Sequence, residues 1–177
     1  VTWFAPLLCF TTEEAWSYRP APLMPDVGSV HLTTFPAIPS AWKNDALAAK
    51  WDKIRDVRRV VLGALEPKRA DKTIGSSLEA HPQIFISAEV AESLKDVDMA
   101  EVAITSQVTL TIGDAPAGAF ALGDVAGVGV VFELAKGNKC ERCWKILPDV
   151  GSDADYPTLS KRDADAVRYY LAVQKAA

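Results

Sequence analysis

The sequence predicts an α+β fold: a portion of a helical bundle, then a small mixed α/β part, then a cysteine-turn tail with a terminal helix. Three observations predict it. Residues 42–66 repeat apolar side chains at helical spacing. Residues 78–134 hold short Val-, Ile- and Thr-rich runs between glycines. Cys140 and Cys143 form a C-x-x-C pair ahead of a last helical stretch. The segments expected from this pattern are 1–73, 74–135 and 136–177.

Residues 1–19 read as a helix, a break at Pro6 and a second helical turn, with Thr11 and Glu14 spaced as a capping box and Ala15 and Trp16 turned to a core. Pro20, Pro22, Pro25, Pro36 and Pro39 remove backbone donors, so residues 19–41 read as an extended surface connection. Val30-His31-Leu32 docks within it as a short extended piece, and His31 is expected to be a hydrogen-bonded surface residue, not a ligand. The main helix starts near Trp42 or Asp45. Trp51, Ile54, Val57, Val61, Leu62, Ala64 and Leu65 share one face, with Arg58 pointing into it to snorkel or pair. Asp52, Arg55, Asp56 and Arg59 lie outside that face, where neighbouring charges pair. Pro67 weakens or kinks the helix. Lys68, Arg69 and Lys72 follow near its C-terminal end, where cations suit the helix dipole.

Gly75 breaks the pattern. Leu78–Ser87 reads as a strand and Ala88–Leu94 as a short helix capped by Ser87. Val102–Thr105, Val108–Ile112 and Gly127–Leu134 read as further strands, and Asp163–Gln174 as the closing helix. Gly123, Gly127 and Gly129 lack the spacing of a phosphate-binding loop and no helix follows them.

At 177 residues, 49% hydrophobic and 24% charged, the chain can bury a core and is not disordered. No apolar run reaches the roughly 20 residues of a membrane span, and VTWFAPLLCF lacks the basic start and cleavage site of a signal peptide. Its opening reads as mid-helix, so a segment of a longer protein is expected. The net charge of −4 and pI near 5.2 do not mark the whole molecule as a nucleic-acid binder. Charge is uneven, however. Residues 50–72 hold Lys50, Lys53, Arg55, Arg58, Arg59, Lys68, Arg69 and Lys72 against four acids, a net +4. Residues 136–145 hold Lys136, Lys139, Arg142 and Lys145 against Glu141, a net +3. A local basic surface on an acidic body follows, with a merely solvated face as the plain alternative.

Three cysteines, one of them alone at Cys9, fit a reducing compartment. Two thiolates at C-x-x-C spacing can hold one tetrahedral zinc at about 2.3 Å each. A structural site takes a second pair roughly 15–20 residues on. There the chain has Ser160 and Asp163, with the right gap and the wrong atoms. Asp163 can donate an oxygen, whereas Ser160 is a poor ligand. The alternative, a redox pair, wants a helix N-terminus, and this pair follows a strand and Lys139. With only His31 and His81 present, no Ser/His/Asp triad is credible, and no carboxylates stand at a catalytic spacing.

Four stretches carry a resemblance: FAPLLCFTTEEAW, SVHLTTFP, EPKRADKTIGSSLEA at 66–80, and Cys140-Glu141-Arg142-Cys143-Trp144. In this order they resemble the bacterial isoleucyl-tRNA synthetases, a family of class I aminoacyl-tRNA synthetases. The resemblance implies a C-terminal portion: the end of the helical anticodon-binding domain, an α+β junction, and a zinc-knuckle-like tail whose second cysteine pair is replaced by Ser160 and Asp163. It implies tRNA(Ile) and the parent's other domains as partners, a monomeric parent and a cytoplasmic place. ATP and Mg would serve a catalytic domain whose signatures are missing here, so the segment by itself is expected to be no enzyme. The residues expected on tRNA are Arg55, Arg59, Lys68, Arg69 and Lys72 from the helix, and Lys139, Arg142, Trp144 and Lys145 from the cysteine turn. Cys140 and Cys143, with Asp163 third, would hold zinc. The rival readings are a structural module touching only its own parent, and a C-x-x-C metal or redox protein.

Overall fold

The computed structural model describes residues 1–20 and 27–176. It divides into two compact units, Val1–Asp45 and Ala46–Ala177. Helices and small sheets, joined by turns and irregular segments, give the described residues an α+β composition, and none of those helices is long and apolar enough to cross a membrane.

In the first unit, residues 1–8 wind through turns into α1, Cys9–Ser17. The Thr11–Glu14 box does not form. The helix starts one turn earlier, at Leu8, with no side-chain cap, and Thr12 Oγ donates back to the Leu8 carbonyl at 2.8 Å. Glu13 instead accepts from Ser29 Oγ at 2.9 Å and from the Val30 N–H at 3.0 Å. That carboxylate pulls Val30–Leu32 into a 3-10 turn where an extended piece was expected. Trp16, Ala5 and Val30 are buried together, and Trp16 Nε1 donates to the Val27 carbonyl at 2.9 Å. His31 is the expected surface residue, its Nε2 3.2 Å from the Cys9 carbonyl. Pro22 and Pro25 of the expected connection lie outside the described residues.

The second unit is built on α2, Asp45–Ala70, which runs through Pro67. Ile54, Val57, Val60, Val61, Ala64 and Leu65 are its buried face. Arg58 resolves its position by donating Nε to the Val102 carbonyl at 2.9 Å. The helix is ended by Lys72, in left-handed backbone at φ +63°, not by Gly75. The Ile74 N–H then reaches the Lys68 carbonyl at 3.1 Å, and Ile74 buries with Leu65 and Ala80 against Phe132.

Against α2 lies a three-stranded sheet of β1 (Gln83–Ile86), β2 (Thr109–Ile112) and β3 (Val128–Val131), in the order β2-β1-β3. β1 is parallel to β2 and antiparallel to β3. Ile84 and Ile86 of β1 face the core with Val128 and Val130. Ser87 caps α3, Ala88–Leu94, as expected. Residues 102–105 are not a strand. Asp98 Oδ1 accepts from the Ala100 and Glu101 N–H groups and starts α4, Met99–Ala103, which Ile104 ends at φ +56°. The tail holds a two-stranded ladder, β4 (Asn138–Lys139) with β5 (Ile146–Leu147), and then α5, Lys161–Ala176.

Candidate metal centre and nucleic-acid interface

The cysteine turn joins β4 to β5. Gly137 enters it at φ +126°, where a Cβ would lie 2.3 Å from the Leu147 carbonyl carbon and oxygen, so only glycine fits. The Cys140 N–H donates to the Lys145 carbonyl at 2.9 Å and the Trp144 N–H to the Cys140 carbonyl at 2.9 Å. Trp144 sits at φ +64°, and its side chain is left exposed.

The first turn of α5 packs on this turn. Cys140, Ser160 and Asp163 are buried, with Asp163 1% exposed. Asp163 Oδ2 accepts from Ser160 Oγ at 2.8 Å and from Cys140 Sγ at 3.2 Å. Its Oδ1 accepts from Arg142 at 3.0 Å. Burial works against the charged carboxylate, yet bonds from Cys143, Ser160, Cys140 and Arg142 outweigh it and hold Asp163 well below the usual range. The Cys143 thiol is pushed up to about 11, by burial first and by the neighbouring Asp163 carboxylate. Burial also raises the Cys140 thiol, but backbone N–H groups of Cys143, Ser160 and Arg142 directed at its sulfur outweigh that and leave it below its ordinary value.

Ligand atoms of Cys140, Cys143 and Asp163 lie within 4.8 Å of one another, a spacing that one divalent ion can bridge. Donor chemistry limits that fit. Only two of the donors are thiols, and the carboxylate already accepts hydrogen bonds from Cys140, Arg142 and Ser160 Oγ. These residues do not fit the closed four-donor shell of a structural zinc.

The expected tRNA-facing residues fall into two groups. Arg55 pairs with Asp52. Arg59 pairs with Asp124 at 2.8 Å and Asp56 at 3.1 Å, and Arg69 with Glu66 at 2.6 Å. Lys68 lies 3.9 Å from Asp71, with its ammonium over the Phe132 ring at 5.6 Å. Lys145 is mostly buried against Glu101 at 2.6 Å, and Arg142 is held by Asp163. Lys72, Lys139 and Trp144 remain. Lys139 and Trp144 line a cleft of about 440 Å³ with Ser76, Leu78, Glu79 and Ile146. The loop after α2 and the cysteine turn therefore meet across this cleft. Ser106, which the sequence did not single out, ties them: its Oγ donates to the Leu78 carbonyl and accepts from the Ile146 N–H at 2.6 Å. A serine 28 residues from one partner and 40 from the other leaves no local signal.

Comparison with known proteins gives two family matches: the anticodon-binding domain of tRNA ligase over residues 1–84, and the zinc finger found in FPG and IleRS over residues 137–166. An isoleucine–tRNA ligase of Agrobacterium fabrum is 53% identical over 175 residues, covering 98% of this chain and 18% of that protein. One of Bartonella henselae is 54% identical over 169 residues, covering 95% and 17%, and one of Mesorhizobium japonicum 55% over 168, covering 93% and 16%. The chain thus spans less than a fifth of the length of these relatives. Two matches in this order, with such identity along nearly all of its residues, mean that the chain belongs to the isoleucine–tRNA ligase family, as a segment joining an anticodon-binding region to a zinc-finger region.

Proposed function

We propose that this segment grips the anticodon side of tRNA(Ile) and positions it for ATP-dependent aminoacylation by a catalytic domain elsewhere in the parent synthetase. In this reading residues 1–73 are the end of the helical anticodon-binding domain, 74–135 the junction and 136–177 the knuckle-like tail. The parent works in the cytoplasm, as a monomer. ATP and Mg belong to the catalytic domain. A zinc at Cys140, Cys143 and Asp163 would be an open three-donor ion that the RNA contact does not need.

The observation that carries the reading is Trp144, an indole 63% exposed at the rim of a cleft that Lys139 also lines. Bases of a single-stranded loop can be splayed onto such a ring while a lysine holds a phosphate. Lys72, in the loop leading to the same cleft, adds charge. Arg55, Arg59, Lys68, Arg69, Arg142 and Lys145 must exchange an internal acid or ring partner for phosphate, so they rank behind these three. That same pairing favours a second reading, a structural module serving only its parent. Leu7 at 79% and Phe10 at 91% exposure are apolar surface that other domains of the parent would cover.

One binding series separates the two. Affinity for an isoleucine tRNA transcript is measured between 50 and 200 mM salt. Trp144→Ala should weaken binding about 5- to 100-fold with the salt slope kept. Lys139→Ala should lower the slope by about 1. Glu at positions 68, 69 and 72 together should weaken binding and slow charging by the parent. Salt-independent affinity and normal charging by the triple variant would leave the structural module standing.

A further inference from the structure

Ser160 and Asp163 stand where a second thiol pair would complete a four-donor metal shell, and the structure uses both differently. We infer that the cysteine knuckle is closed by a hydrogen-bonded ion pair, Arg142 with Asp163, in place of a structural metal, so that its fold does not require zinc. This does not rest on the tRNA reading.

Ligands around an ion all present lone pairs inward. Without the ion they face one another acceptor to acceptor, which is why small zinc domains unfold on chelation. Here every contact pairs a donor with an acceptor. Asp163 Oδ2 takes the Ser160 hydroxyl at 2.8 Å and the Cys140 thiol at 3.2 Å, and Oδ1 takes the Arg142 guanidinium at 3.0 Å. Arg162 adds a second cation at 3.5 Å from Oδ1. Among the described residues no buried side-chain nitrogen or oxygen lacks a partner. Charge closes as well. A buried carboxylate is costly alone, and the guanidinium beside it supplies the positive charge that an ion would otherwise bring.

The backbone links that a zinc would enforce are also present. The Ser160 N–H donates to Cys140 Sγ at 3.4 Å and the Glu141 N–H to the Thr158 carbonyl at 3.1 Å, joining the turn to the start of α5. Ser160 Oγ also accepts from the Asp163 N–H at 3.3 Å, so the hydroxyl fixes the helix start and the carboxylate together. A thiol at either position would keep the turn's length and lose this network.

The test uses the chain itself, purified with and without EDTA, with metal content by elemental analysis, melting by circular dichroism, and hydrogen exchange at the Cys140 and Trp144 amides. Zinc well below one per chain is expected, with a melting midpoint unmoved by chelation to within about 1 °C and slow exchange retained. Asp163→Ala and Arg142→Ala should each lose that protection and lower the midpoint by roughly 5–10 °C. Ser160→Cys/Asp163→Cys should take up one zinc per chain and become chelator-sensitive. Should Asp163→Ala fail to fold, the unmodified chain and the double cysteine variant decide. One zinc per unmodified chain, with amide protection lost on chelation, overturns the inference.

Discussion

Three single positions show how backbone conformation sets this molecule's surfaces. Gly137 holds φ +126° with the Leu147 carbonyl directly behind it. Gly137→Ala should cost about 2 kcal/mol or more, read as a lowered urea midpoint with an unchanged slope. An unchanged midpoint would mean that the β4–β5 ladder shifts freely. Lys72 and Trp144 are the reverse case, side-chain-bearing residues in left-handed backbone, which costs roughly 1–2 kcal/mol apiece. Asp96 and Ile104 share that conformation at φ +62° and +56°, so it marks chain turns and is no signature of binding by itself. At this scale the sequence misleads at Gly75. A glycine advertises the turn, while the positive φ belongs to Lys72 three residues earlier. What sets it there is the capture of Ile74 by Leu65, Ala80 and Phe132, a tertiary demand with no local trace.

Elements were legible where periodicity and capping agree. The stripe of α2 named Ile54, Val57, Val61, Ala64 and Leu65, all buried. It missed Val60, which is fully buried, and included Trp51, which is 40% exposed, because the sheet covers a face shifted from the centre of the apolar arc. The Ser87 cap was legible, since it precedes a helical run directly. α4 was not. Val102, Ile104 and Thr105 have strand propensity, and a five-residue helix offers too little period to contradict it. Asp98 decides the matter by satisfying two N–H groups at 2.9 and 3.2 Å. Asp98→Ala should therefore cost about 1 kcal/mol. Because the Val102 carbonyl accepts from Arg58, hydrogen exchange should also rise across 99–103. Loss of stability without faster exchange there would place the effect elsewhere.

Across the second unit, what the sequence could not disclose is which charges meet. Lys53 finds Glu89 at 2.9 Å, Arg59 finds Asp124 at 2.8 Å and Arg168 finds Asp153 at 2.6 Å. Basic residues that composition offered as an RNA face are spent largely on internal pairs, some within α2 and its end and some between elements, and the cysteine turn's chemistry is split between a legible C-x-x-C and an illegible partner arginine. These ties give the unit a pH response of definite sign. The Lys53 hydrogen bond holds Glu89 below its ordinary value, the Arg59 bond does so for Asp124, and the Arg168 bond for Asp153. A carboxylate lowered in the folded state binds fewer protons there than when unfolded, so stability rises with pH across that window. The contribution is complete above the ordinary values of 4.5 for Glu89 and 3.8 for the aspartates, and is lost as pH falls through the lower folded ones. Glu89 and Asp124 are exposed, so salt should weaken their share, while the Asp153 side chain is largely covered and should be screened less; buried Asp163 should be the last to take its proton. Melting midpoints should hold from pH 7 to about 5 and then decline toward pH 3. Arg168→Ala should make that decline shallower by removing the Asp153 share. A midpoint that climbs on acidification, or an Arg168→Ala curve parallel to the unmodified one, would mean these pairs do not couple folding to protons.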